Sequence, residues 1–370
     1  MTLKKGKPPK TKKLKAGATW SDFMAAFNSL ADGDILQLPN TPVVQEASLF
    51  ITRPVQIKGS SPESKLLALT NLTASGSSQQ IMIGYGGGKL PYTTVDGVVL
   101  SGFMIEHTRN YDARMIAISI FGHSKHVDIH DIHFKNITSD CIITRNESTV
   151  ELEGQYGVME DIDIYDCRAD EWWESFFNHH EGSLSRCYVH DNVCTVMAGG
   201  HPDSRVSRPY AALINIEETK YHGLIEDVHI QDNTFVSNLY NFTLGQPVEL
   251  GHGTDYNDSI GWVLRRNEDP DFRAHKVVVS GNHFQGWDRS LWHIQTQTVG
   301  GSPLFPGPSK IEYSRNRFED FRSISVDDWG AAGDEVIFGD NEIVGPAPVF
   351  PGGSGVVNIV QQPPNRVIGP

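Results

Sequence analysis

The chain has 370 residues, with 31 Lys and Arg against 45 Asp and Glu, a formal net charge of −14. Its 39% hydrophobic content suffices for a large core and excludes global disorder, and no run of about 18 apolar residues exists to cross a membrane as a helix. Residues 1–15 hold seven Lys and no acid, leaving 24 basic against 45 acidic residues in the remainder, a body that repels nucleic acid phosphates.

Residues 1–18 form a basic arm. No apolar segment follows its Lys cluster, so it does not read as a secretory signal. Two readings stand: a solvated flexible tail, or an arm that docks on an acidic partner within an assembly such as a virion. The expected location is virion or extracellular. Over 19–32 the spacing predicts an amphipathic helix. Trp20, Phe23, Met24, Phe27 and Leu30 share one face, and Ser21 or Thr19 can N-cap it. Gly33 to Pro39 then reads as a first strand.

A short pattern recurs from there onward: apolar, any, apolar, any, polar, Asn, any, apolar. Its clearest copies are Val228 to Phe235, Val277 to Phe284, Ile311 to Phe318 and Val336 to Ile343. Looser copies run from Val98 to Ile105, Val127 to Phe134, Ile162 to Ala169 and Cys187 to Cys194. The closing positions are spaced by 29, 35, 25, 41, 49, 34 and 25 residues. A minimum near 25 with variable excess reads as one coil of three short strands plus loops. Alternation turns the apolar side chains inward. The Asn sits at the bend, where it tolerates left-handed angles and its amide can bond to an Asn one coil above. Stacked coils bury one apolar column that no single coil could bury. The expected fold is all-β, a single-stranded right-handed parallel β-helix over 19–345 with the helix 19–32 as its cap. Residues 346–370 are Pro- and Gly-rich and read as a tail or end cap. Cys141, Cys167, Cys187 and Cys194 have no zinc-like spacing and read as free buried thiols.

In such a stack, register becomes proximity. After each motif a second strand is expected: at Cys141, Ser175, Thr195, Asn241, Leu291 and Ser323. Asp140 and Glu174 precede two of these and would be neighbours, either as functional groups or as caps of backbone N–H groups. After the same strands stand Arg145, His179-His180-Glu181, His201-Pro-Asp203 and His252 to Asp255. Long loops on one side imply a groove. Paired carboxylates beside His and Arg suit glycosidic bond cleavage, one acid protonating the leaving oxygen and its partner acting as base or nucleophile. Loop aromatics, Trp172 and Trp173 among them, can stack on sugar faces or seal the coil. His123, His126, His130 and His133 read as solvent-facing side chains rather than metal ligands, so no metal is expected.

The helix followed by the Gly33-Asp34 strand resembles the opening of pectate-lyase-like β-helix proteins, including bacteriophage tailspikes. Glu171 to Gly182 (EWWESFFNHHEG) resembles a segment of the inulin fructotransferases, trimeric β-helix enzymes with an Asp–Glu active site. That resemblance implies Glu181 as the Glu, Asp170 or Glu171 as the Asp, and a homotrimer. The expected catalytic set is Asp170, Glu171, Glu174, Glu181 and Asp203. The expected substrate contacts are Asp140, Arg145, Trp172, Trp173, His179, His180, His201, His252 and Asp255. The expected partner is a polysaccharide or oligosaccharide and no cofactor is required. The alternatives are a non-catalytic spike or adhesin that recognises a glycan, and a polysaccharide lyase, for which Ca²⁺ would bridge the charges.

Overall fold

A computed structural model describes residues 8–69, 72–74, 77–85, 94–108, 115–145, 158–172, 175–180, 182–196, 214–217, 224–237, 240–241, 246–247, 260–263, 273–286, 289–290, 298–299, 302–303, 310–321, 323–324, 335–345, 347, 358–360 and 364–368. Among the described residues, three sheets of 12, 11 and 8 strands form the body, parallel throughout except that Thr73–Ala74 joins the third antiparallel. Successive strands of the chain visit the first, second and third sheet in turn. Lys125–His130, His133–Lys135 and Ile142–Arg145, for example, lie on the three sheets of one coil. The fold is a parallel β-helix, as the repeat requires.

The cap is the helix Trp20–Asn28. Thr19 and Asp22 form a capping box, each side chain bonding the other's backbone N–H. Trp20, Phe23, Ala26 and Phe27 are buried, and Met24 packs from the margin. Arg53 donates to the Phe27 carbonyl at 2.7 Å and lies over the Phe27 ring, closing the other end of the helix. Thr19→Ala should lower stability by about 1 kcal/mol, read as a fall in the urea midpoint. An unchanged midpoint would remove the capping box from the account.

The stack extends beyond the limits read from sequence. Thr11–Lys13, expected in the basic arm, is a parallel strand paired with Ile35–Gln37. Asn358–Val360 and Arg366–Ile368, expected in the tail, add strands to the first and second sheets. Thr195 also moves. It belongs to Val193–Val196 of the second sheet, and the next third-sheet strand is Ile214–Glu217.

The bend asparagines form a buried ladder. Starting from Asn192, the residues Asn233, Asn282, Asn316, Asn341 and Asn365 each accept at Oδ1 from the Asn of the rung before, at 2.9–3.0 Å between side chains. The backbone N–H of each earlier rung donates to the same oxygen. The left-handed angle falls one residue earlier than expected. Asp131, Asp166, Asp191, Asp232, Gly281, Arg315 and Asp340 have φ between 52° and 70°. The Asn is thereby aimed inward, where its amide satisfies backbone groups that the bend would strand.

The column beneath is packed by complementary sizes. Phe235, Phe284 and Phe318 are register partners, with ring centroids 5.5 and 5.2 Å apart. Lower down the same row carries only Ala169 and Cys194. Phe176 fills that space from the neighbouring corner, 6.1 Å from Phe134 and 6.4 Å from Phe235. All four cysteines are free and buried. Burial pushes the Cys167 thiol up to about 12 and raises the other three, so none offers a thiolate at neutral pH.

Candidate functional site

The edge expected to hold the site is described only in part. Glu174, Glu181, Asp203, Trp173, His201, His252 and Asp255 lie outside the described residues. Glu171 and His180 are placed by backbone alone, in the strands Arg168–Trp172 and Phe177–His180. His201 and Asp203 precede the third-sheet strand Ile214–Glu217 in the chain rather than follow it, because Thr195 belongs to the second sheet. Third-sheet register does align Arg145, His180 and Glu217 on consecutive strands. Glu217 carries no sequence signal of its own, because it closes a third-sheet strand that the repeat suggests at Thr195 instead.

Several expected contacts point inward. Trp172 is 3% exposed and belongs to the core, so it seals the coil and offers no sugar platform. His179 has no exposure. It pairs with the Thr144 hydroxyl at 2.9 Å and the Gly182 carbonyl at 3.1 Å. A substrate cannot reach it. Asp140 is buried and accepts from the Asn178 side-chain amide at 3.4 Å. Arg145 is half-buried, with its guanidinium over the Phe121 ring.

Asp170 lies on the outer face of the second sheet. Its carboxylate accepts from His133 Nε2 at 2.8 Å and Arg168 Nε at 2.7 Å. The same arrangement recurs four coils along the stack. There Glu319 accepts from His283 at 2.8 Å and from Arg317 Nε at 2.9 Å. A pattern that repeats where no site is expected argues for an ionic staple between coils.

A second titratable group lies on the first sheet. The outer face of the first sheet carries Asp128 and Asp163 as register partners on adjacent strands, with His130 and Tyr165 paired two residues on. Tyr188 and His190 occupy the same two positions one strand further. The rings stack: His130 on Tyr165 at 4.9 Å, Tyr165 on His190 at 5.2 Å, and Tyr188 on His229 at 5.1 Å. His190 donates or accepts at both nitrogens, to Asp163 at 3.0 Å and Asp191 at 2.7 Å. Its pKa is raised against the opposing effect of burial, by the bond to Asp191 and the charge of Asp163. Asp128 is raised, chiefly by burial and further by Asp163. A flanking row pairs opposite charges: Arg186 grips Asp161 through two nitrogens at 2.6 and 2.9 Å, and Lys276 pairs with Asp227. Among the described residues no group of three or more His, Cys, Asp or Glu is arranged to hold a metal ion, and no helix is long and apolar enough to cross a membrane.

No family model matches the chain, and no curated protein matches it either. Solved structures do. One is a GH136 lacto-N-biosidase from Eubacterium ramulus, 12% identical, with a TM-score of 0.42 over 93% of this chain and 64% of that one. Others are catalytic domains of a GH87 α-1,3-glucanase. The tetrasaccharide complex is 10% identical, with a TM-score of 0.35 over 97% of this chain and 69% of that one. The nigerose complex is 8% identical, with a TM-score of 0.35 over 96% and 68%. These neighbours are glycoside hydrolases. This chain spans 64% of the length of the lacto-N-biosidase. At this level the likeness concerns the course of the strands and leaves the site to its own geometry.

Proposed function

We propose that this protein binds a polysaccharide or oligosaccharide along the side of its coil stack and cleaves glycosidic bonds by hydrolysis. The observation that carries the reading is the register itself. It stacks equivalent backbone positions of separate coils about 4.8 Å apart, at the scale of a sugar unit. Arg145, His180 and Glu217 share one register position at the end of the third sheet. Glu181 follows His180 directly in the chain. We assign this edge to substrate contact. The resemblance of Glu171 to Gly182 to the inulin fructotransferases supports a fructan or related neutral glycan, and a trimer as the assembly. The tailspike-like opening supports docking through the Lys-rich arm.

The test is reducing-end release from laminarin, xylan, galactomannan and inulin, with binding followed by affinity electrophoresis. Release from at least one is expected, with retarded migration in the same glycan. Retardation without release would make the protein a glycan-recognising adhesin. Neither effect with any glycan would overturn the proposal.

A further inference from the structure

Resting on the reading that the chain hydrolyses a glycan, we propose that the reaction centre is the outer face of the first sheet, with Asp128 as proton donor and Asp163 as base.

The two carboxyls sit on adjacent strands and remain open to a ligand, their side chains 38% and 45% exposed. Their surroundings differ in kind. Asp163 is bonded by His190, whose other nitrogen is held by Asp191. That contact orients the Asp163 carboxylate and leaves its second oxygen for a ligand or water. Asp128 Oδ1 is shut off from solvent with no hydrogen-bond partner, and among the described residues it is the one carboxylate oxygen so placed. A charge there is poorly solvated, so the protonated form is favoured. The groups that face Asp128 are His130 on its own strand, Asp163 and Tyr165 on the next, and Lys58 below. His130 Nε2 comes no closer than 4.0 Å to Oδ1. Elsewhere on this face the carboxylates are neutralised by close cations, as Asp161 is by Arg186 and Asp227 by Lys276. One carboxyl with an oxygen cut off from solvent beside another held open by an imidazole is an arrangement that suits an acid and a base.

The chemistry balances with water as the one co-reactant. Asp128 gives its proton to the glycosidic oxygen as the bond from that oxygen to the anomeric carbon breaks. A water oxygen bonds to the anomeric carbon, and its proton passes to Asp163. Asp128 ends ionised and Asp163 protonated. Exchange with solvent restores both. Tyr165 and His190 are positioning residues. The phenol faces Asp128, and the imidazole holds Asp163.

The experiment uses the full chain and whichever of laminarin, xylan, galactomannan or inulin it cleaves. Asp128→Asn should lower kcat by about 10²–10⁴ with glycan retention in affinity electrophoresis unchanged. In the parent, kcat should fall on the alkaline side as Asp128 ionises, and His190→Gln should shift the acidic limb, a readout that a merely structural role would not move. Carboxyl carbon NMR of Asp128 gives a measurement independent of activity and of the variant's folding. Its midpoint should lie above that of an ordinary aspartate. A midpoint at or below the ordinary value overturns the assignment. So does a folded Asp128→Asn protein that keeps its kcat while Glu181→Gln loses it, and the hydrolase reading then survives with its centre at the edge. A parent chain that cleaves none of the four glycans overturns both.

Discussion

Asn282→Leu should destabilise the protein by about 3–5 kcal/mol, although leucine is nearly the same size and the site is already buried. Asn282 donates to the Ile230 carbonyl at 2.8 Å and to Asn316 Oδ1 at 3.0 Å. Its own oxygen accepts from the backbone N–H and the side chain of Asn233, at 3.0 and 2.9 Å. Leucine strands the Asn233 donors and the Ile230 acceptor inside the stack, where water cannot replace the lost partner. Asn282→Asp should be no better, because a carboxylate has no donor for Ile230 and brings a buried charge. The outermost rung offers the contrast. Asn365 is only part-buried, so Asn365→Leu should cost much less. Guanidinium unfolding of the three variants checks this ordering. A change below about 1 kcal/mol for Asn282→Leu would show that the ladder is not a main source of stability.

The second large effect is a loss of stability in acid. His107 is buried, with Nε2 donating to Gln80 Oε1 at 2.8 Å and Nδ1 accepting from the Thr138 N–H at 3.3 Å. That network fixes the neutral tautomer, and burial depresses its pKa to about 3. In the unfolded chain the group titrates near 6.5. Between these values the unfolded chain binds a proton that the folded chain does not. Stability therefore falls as pH falls through this window, by roughly 1 kcal/mol or a little more per unit. His107→Gln keeps a donor and an acceptor but cannot be protonated, so it should flatten the slope. Asp161, Asp227 and Glu319, whose pKa values are lowered by their ion pairs, lose stability further into acid in both proteins. The comparison thus isolates His107. Equal slopes for parent and variant from neutral pH to about pH 4 would contradict the assignment.

The fold was legible because its defining contacts repeat. The spacings of 41, 49, 34 and 25 residues between motif copies are the separations of the Asn rungs. An inward asparagine at a bend is written into the five copies from Cys187 onward, whereas the three earlier copies carry Phe103, Ile132 and Cys167 at that position. The third strands were less legible. They carry no shared residue, and the Met115–Phe121 strand is buried throughout, so it lacks the alternation that marks a strand with one wet face. For that reason the sequence suggests a third strand at Thr195, ahead of its actual place at Ile214–Glu217. The direction of single side chains at a corner was not legible at all. Trp172 and His179 sit beside polar neighbours, and only the packed coil shows that both turn inward. Asp128 and Asp163 fell outside the sequence-derived site for another reason. Each lies on a strand where polar residues alternate with core residues, the ordinary pattern of a solvated face. Their pairing exists only through register between coils.

The central claim is that this stack adds water across a glycosidic bond. Digestion of the susceptible glycan in heavy-oxygen water, with mass spectrometry of the fragments, tests it most directly. One labelled oxygen at each new reducing end is the expected result. Unlabelled fragments with an unsaturated end, or unlabelled cyclic or transferred products, would contradict it.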